Sequence, residues 1–171
     1  MRRRKPWTGF RSVLCAVDFS PHSRHALTYA AAVAWRDNAA LNVLYVNDAM
    51  LVAAAASALG DRQLAARSAR ELEAFIDATL PARARARLHP APHVSIGSPA
   101  EQILKIARRC RSDLIVLGTH GVNAAQRLLV GSTTLDVLQR STVPVLAIPR
   151  RARKSVYVGA VGIRSGRAPA T

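Results

Sequence analysis

Val13-Leu14-Cys15-Ala16-Val17 is a run of five apolar residues with no polar residue between them. A strand with one wet face alternates apolar and polar side chains. An unbroken run suits a parallel strand that is covered on both faces. The run stops at Asp18-Phe19-Ser20-Pro21. Serine is a good N-cap and proline a good first helical residue, so a helix is expected to begin there. It is expected to reach about Trp35, with Ala26, Leu27, Ala30, Ala31 and Ala34 along one face. A buried strand followed by a capped helix is half of a βαβ unit.

The pattern recurs. Leu41 to Val46 reads as a second strand, and the alanine-rich stretch from Asn47 to Gly60 as a loop or short helix over the sheet edge. Asp61 to Leu80 is helical in pattern, with Leu64, Leu72, Phe75 and Ile76 on one face, and Pro81 ends it. Arg83, Arg85 and Arg87 read as a solvated helix end or loop. Val94 to Ile96, or a run already begun at His93, reads as a short third strand after Pro90 and Pro92. Ser98-Pro99-Ala100-Glu101 combines a serine cap, a first-turn proline and a glutamate three residues on. The helix it opens buries Ile103, Leu104, Ile106 and Ala107. Leu114 to Leu117 is strand four, Ser132 to Arg140 a further helix, and Val143 to Ile148 strand five, with Pro144 near its start or on an edge.

About five strands thus alternate with four helices. That predicts one doubly wound α/β domain, a parallel sheet with helices on both faces and right-handed crossovers. Ligands of such sheets bind outside the carboxyl ends of the strands, where the winding reverses. Asp18 ends strand one and Gly118 ends strand four. If those strands are neighbours, the two residues share a crevice.

The chain has 171 residues, half of them hydrophobic, which favours one domain with one core. Its net charge of +15 lies mainly at its ends. Residues 2–11 hold five basic residues and residues 150–171 hold six, with no acid in either segment. Between them stand fourteen basic and ten acidic residues, a net of +4. The expected division is a basic arm over residues 1–11, a domain over 12–149, and a basic tail over 150–171. Such arms suit nucleic acid or an acidic protein, or are simply solvated. Cys15 and Cys110 have no C-x-x-C or metal spacing and read as reduced thiols. Neither Val13–Val17 nor the longest apolar stretch, Ala49 to Leu59, suits a signal peptide or a membrane span. A cytoplasmic protein is the expectation.

Gly118-Thr-His-Gly121 and Gly131-Ser132-Thr133-Thr134 punctuate the connection from strand four to the next helix. Glycines there allow positive φ and close approach of an anion to backbone N–H groups, and the helix start adds its dipole. A strand-to-helix turn with no ligand would use glycines too. No G-x-x-x-x-G-K-[ST] and no G-x-G-x-x-G occurs in the chain.

The spacing Gly118, two residues, Gly121, nine residues, Gly131-Ser132 resembles the nucleotide-binding signature of the universal stress protein family. The resemblance extends to Val17-Asp18-Phe19-Ser20, Val43-Leu44-Tyr45-Val46, Gly97-Ser98-Pro99-Ala100 and Pro144-Val145-Leu146, over residues 12–149. It implies a sheet like that of the adenine nucleotide alpha hydrolases, and the branch of the family that binds ATP with Mg²⁺ or Mn²⁺ on the phosphates. Asp18 would hold the ribose or adenine end, and Val46 would pack beside the adenine. Gly118 and Gly121 would line the ribose and phosphate path. Gly131, Ser132 and Thr133 would donate to phosphates, with Arg127 within reach of them. The resemblance also implies a homodimer through the last strand, Val143 to Ile148.

No dedicated catalytic set is assembled from the sequence. His22, His25, His89 and His93 read as surface histidines, while His120 lies within the glycine loop. At most slow ATP hydrolysis, or self-phosphorylation at Ser132 or Thr133, is expected. Two functions follow from these readings. One is an ATP-binding stress-response module. The other is a nucleotide-free interaction protein acting through its basic arms.

Overall fold

The computed structural model describes residues 9–48, 61–119 and 131–149. Five strands form one sheet: β1 (Ser12–Val17), β2 (Ala40–Asp48), β3 (Ala91–Gly97), β4 (Leu114–Gly118) and β5 (Val145–Ile148). Among the described residues the helices are α1 (Pro21–Asp37), α2 (Asp61–Thr79), α3 (Ala82–Leu88), α4 (Pro99–Arg109) and α5 (Ser132–Arg140). The strand order is β3-β2-β1-β4-β5, and every pair is parallel.

This order explains which face each helix covers. The chain steps outward from β1 to β2 to β3, then returns to the far side of β1 for β4 and β5. Right-handed crossovers that step one way put helices on one face; those that step the other way put them on the opposite face. Val13, Cys15 and Val17 accordingly pack with Ala26, Leu27, Ala30 and Ala34 of α1, with Leu72, Phe75 and Ile76 of α2, and with Ala84 of α3. Leu14 packs on the other face with Leu44, Ile115, Leu117, Ile103 and Leu104 of α4, and Val137 of α5. The unbroken apolar run of β1 is thus buried on both sides. Leu14 is fully buried, a setting in which leucine-to-alanine changes cost about 2–5 kcal/mol. Burial also drives the Cys15 thiol far above its ordinary pKa and holds it protonated.

The doubly wound parallel sheet matches the expectation, but several boundaries move. β3 begins at Ala91 rather than at His93 or Val94, with Pro92 inside it. Among the described residues it pairs only with β2, and an edge strand tolerates a residue without an N–H when that position faces outward. β5 starts at Val145, not Val143. Ser141 explains this: its hydroxyl bonds the Val143 carbonyl at 2.7 Å and accepts the Val143 N–H at 3.2 Å, a local turn that keeps Val143 out of the ladder. The stretch Arg83-Ala-Arg-Ala-Arg87 is the short helix α3, started by the Pro81 carbonyl, which accepts the N–H groups of Ala84 and Arg85. Ser20 caps α1 by accepting the Ser23 N–H at 3.2 Å, as expected. Ser98 stands at the N-cap of α4 but makes no side-chain capping bond, so the expected capping box does not form. The alanine-rich residues 49–60, most of the basic arm (1–8) and the basic tail (150–171) lie outside the described residues.

Residues ahead of β1 are tied down by two aspartates. The Phe10 N–H donates to Asp37 at 3.0 Å, and the Phe10 ring packs on the core. The Arg36 guanidinium, aided by the Phe10 N–H, holds the Asp37 carboxyl below its ordinary pKa against the opposing effect of burial. The Asp113 carboxylate accepts the N–H groups of Arg11 and Ser12, each at 3.0 Å. A lost bond to a charged acceptor costs about 1.5–3 kcal/mol. Asp113→Ala should therefore lower unfolding free energy by about 2 kcal/mol in a urea titration. A loss below about 0.5 kcal/mol would show that this clamp contributes nothing.

Candidate functional site

β1 pairs with β4, so Asp18 and Gly118 do meet at the carboxyl end of adjacent strands. The registers place residues more closely. Val17 lies beside Tyr45, and Cys15 beside Val116. Carried on, Val46, Asp18 and Thr119 stand in one row across β2, β1 and β4. Strand order reverses between β1 and β4, the position where doubly wound sheets open a crevice.

Asp18 is half-buried just beyond β1, and its Oδ1 accepts the Ser20 N–H at 3.1 Å. Val46 is half-buried against the second apolar cluster, on the side of the sheet covered by α4 and α5. Gly118 is the last residue of β4. The Thr119 N–H donates to the Ile148 carbonyl at 2.9 Å, and the Thr119 carbonyl accepts the Gly131 N–H at 2.7 Å. The two ends of the glycine loop are thereby clamped together. Thr134 adds a second tie, its hydroxyl donating to the Gly118 carbonyl at 2.9 Å. These bonds fix the start of α5 against the end of β4.

Gly131 is the N-cap of α5, followed by exposed Ser132 and half-buried Thr133. Having no side chain, Gly131 cannot take up the first-turn N–H groups of Ser132 and Thr133. α1 differs, because Ser20 occupies a donor of its own first turn. A nine-residue helix with a side-chain-free cap presents donors and the positive end of its dipole to whatever enters the crevice. Gly121, Arg127 and His120 lie outside the described residues. Among the described ones, Asp18, Val46, Gly118, Gly131, Ser132 and Thr133 converge on one end of the sheet.

The structure adds residues that the sequence did not single out. Phe19, between Asp18 and Ser20, has a φ of +62°, a conformation that costs a non-glycine residue about 1 kcal/mol or more. Its ring stacks on Tyr45 at 4.3 Å and meets Phe75 edge-on at 5.4 Å. This aromatic packing holds the strained turn that follows Asp18. Burial raises the Tyr45 hydroxyl pKa, and the negative charges of Glu71 and Asp18 raise it further. Thr134, the tie to Gly118, had one sequence signal, its place in Gly-Ser-Thr-Thr.

At the opposite end of the sheet, His93 is drawn into a network rather than lying on the surface. Its Nε2 is 2.9 Å from Asn42 Oδ1 and 3.7 Å from Cys110 Sγ. Asn42 in turn donates to Ser12 Oγ at 3.3 Å. One ring nitrogen faces both partners, so this is not a nucleophile–base–orienter arrangement, which uses both nitrogens. Burial and the charge of Arg109 hold the His93 pKa below its ordinary value. His22 and His25 are half-buried on α1, and His89 is exposed at the end of α3. No group of three or more histidine, cysteine, aspartate or glutamate side chains suited to a metal occurs among the described residues. None of their helices is long and apolar enough to cross a membrane.

The strained turn yields a test in which the usual ranking inverts. Glycine is normally worse than alanine in ordered backbone, but at positive φ it is better. Phe19→Ala and Phe19→Gly both lose the stacking, but only Phe19→Gly relieves the strained backbone. The glycine variant should be the more stable of the two by about 1 kcal/mol in chemical denaturation. An alanine variant that is equal or more stable would show that the turn is not held in the left-handed region.

Comparison with known proteins agrees with this fold. A universal stress protein A homologue of Coxiella burnetii is 29% identical over 150 residues, spanning 81% of this chain and 96% of the relative. A universal stress protein of Methanocaldococcus jannaschii is 38% identical over a shorter stretch of 58 residues, 34% of this chain and 36% of that protein. Among solved structures, a universal stress protein of Lactobacillus plantarum superposes with a TM-score of 0.64 at 29% identity, covering 82% of this chain and 98% of its own. The model of the universal stress protein family matches residues 9–149, and the chain belongs to that family.

Proposed function

We propose that this universal stress protein binds ATP in the crevice between β1 and β4 and acts as a nucleotide-dependent stress-response module. One observation supports the reading: β1 pairs with β4, so Asp18 and the connection leading to α5, whose cap is a bare glycine, lie at the same end of adjacent strands. The two walls suit opposite ends of a nucleotide. A carboxylate accepts from hydroxyl and amino donors, as a ribose or adenine presents. A helix start with free donors accepts phosphate. Ser132 and Thr133 would supply N–H and hydroxyl groups to phosphate, and Gly131 the close approach. Gly118 would line the path between, Val46 would pack on the base, and Gly121 and Arg127 would complete the phosphate side. Mg²⁺ or Mn²⁺ would be carried by the phosphates themselves. A protein of the same fold, 21% identical and with a TM-score of 0.56, has been determined in complex with cAMP; that likeness is one of fold.

In this reading the described residues of the crevice bind and orient the nucleotide, with at most slow hydrolysis or self-phosphorylation at Ser132 or Thr133. Nucleotide occupancy, rather than turnover, is then the output. Calorimetric titration of the nucleotide-stripped full chain with ATP and Mg²⁺ should show one saturable site. Asp18→Ala and Gly131→Val should each weaken it at least tenfold while the fold is retained by circular dichroism. Absence of binding by the well-folded native protein would refute the reading, and would favour the nucleotide-free alternative.

We also propose a homodimer through the last strand, in a cytoplasmic protein. Among the described residues β5 is an edge strand with one unpaired side, and α5 beside it exposes Leu135 and Leu138 at 48% and 42%. An open edge flanked by apolar side chains favours pairing with a second copy. Sedimentation equilibrium should give a dimer that Leu135→Glu combined with Leu138→Glu dissociates. A monomeric native protein, or a dimer indifferent to both changes, would contradict this arrangement.

A further inference from the structure

In a parallel sheet all strands start, and all covering helices end, on one side of the domain. Here that side lies opposite the crevice, and arginines collect on it. The last helical turns hold Arg36 of α1, Arg85 and Arg87 of α3, Arg108 and Arg109 of α4, and Arg140 of α5. Arg11 precedes β1, and Arg111 follows α4. One cation per helix end is enough to offset the helix dipole. The excess needs another account.

Half of these charges are answered by carboxylates. Arg36 pairs with Asp37 at 2.6 Å, Arg11 with Asp113 at 3.6 Å, Arg140 with Asp136 at 3.1 Å, and Arg85 with Asp77. Asp37 and Asp113 are further committed to backbone N–H groups. Arg87, Arg108, Arg109 and Arg111 are exposed and make no salt bridge among the described residues. Arg87 lies on the Trp35 ring, 4.0 Å from its centroid, and donates to the Trp35 carbonyl at 3.4 Å. An aromatic face positions a guanidinium without neutralising it. The lowered pKa of His93 reflects in part the nearby positive charge of Arg109.

We propose that this arginine floor is a second binding surface, for the phosphate backbone of a nucleic acid. Its chemistry selects that partner. Twenty-two of the twenty-five basic residues are arginine, whose planar fork matches two phosphate oxygens where lysine offers a point charge. A lipid surface would want apolar side chains to insert. Among the described residues, Ile96 lies near the carboxyl end of β3 and Leu135 in the first turn of α5, both at the crevice end, which leaves Leu138 in the last turn of α5 as the single exposed large apolar side chain on this side. Five strands at about 4.8 Å spacing give a floor about 19 Å wide, enough to meet several consecutive phosphates. The chain also enters the domain here, and Arg2, Arg3, Arg4 and Lys5 lie within ten residues of Ser12 in sequence. The surface is independent of the crevice and stands whether or not ATP binds there.

The test is fluorescence anisotropy of a labelled mixed-sequence oligonucleotide, single-stranded and duplex, with the full chain at several salt concentrations. Binding should weaken steeply with salt, at a slope of about 0.7–0.9 per phosphate contact. Arg108→Gln, Arg109→Gln and Arg111→Asn together should reduce that slope by about 2 and affinity at least tenfold. Asparagine is chosen at 111 because that residue has a φ of +50°. Arg87→Gln alone should act in the same direction, which guards against a folding defect in the triple variant. Neutralising Arg150, Arg151, Arg153 and Lys154 to glutamine should matter far less, because β5 ends at the crevice side. The proposal fails if the floor variants bind as the native chain does, if only the tail variant loses binding, or if the native chain binds no oligonucleotide. It fails equally if anionic vesicles or acidic peptides compete the oligonucleotide off at lower charge concentration.

Discussion

Everything at the crevice depends on the pairing of β1 with β4. That pairing is where the sheet changes direction, and a change of direction changes the face on which the connecting helices lie. α1 leaves β1 toward one face and α5 leaves β4's loop toward the other. Between them the two strand ends diverge, and neither helix can close the gap. A domain wound one way only would have no such opening. The crevice is thus a consequence of topology, and the residues around it refine it.

Refinement comes in two forms. One is a set of ties that spend backbone groups on position: Thr119 to Ile148, Gly131 to Thr119, and Thr134 to Gly118. They close the glycine loop at its base and fix the start of α5 against the end of β4. The other is strain. Phe19 holds a left-handed backbone because Tyr45 and Phe75 grip its ring. Strained backbone persists where its surroundings over-determine it, and here the strained residue directly follows Asp18 at the end of β1. One wall is therefore a rigid helix start and the other a sprung turn. The opposite end of the sheet is built on another logic, with helix ends, strand starts and arginines gathered on one floor.

The sequence was legible where the signal was local. Unbroken apolar runs marked the buried central strands, and Ser20-Pro21 marked the start of α1. Glycine spacing marked the connection after β4. Signals that depended on partners were not legible. Nothing in the chain announces that Pro92 sits in an edge strand, because that depends on which strand lacks a neighbour. The turn at Ser141 that shortens β5 rests on a hydroxyl geometry with many alternatives. Phe19 carries no mark of positive φ, since its grip comes from Tyr45 and Phe75, distant in sequence. Likewise His93, Cys110 and Asn42 meet only because β2, β3 and α4 converge there. Ser98-Pro99-Ala100-Glu101 shows the converse, a local signal that located the helix start yet left the capping bond unmade.

The most direct test of the central claim is amide chemical-shift mapping of the isotope-labelled full chain during addition of ATP and Mg²⁺. It reports where the nucleotide sits, which affinity alone does not. If the crevice is the site, the largest shifts should fall on Asp18 to Ser20, Thr119, and Gly131 to Thr134. Shifts centred instead on Arg87 and Arg108 to Arg111 would mean that ATP is captured as a polyanion on the arginine floor, and no shifts at all would mean that the crevice is not a nucleotide site. Either result would contradict the account.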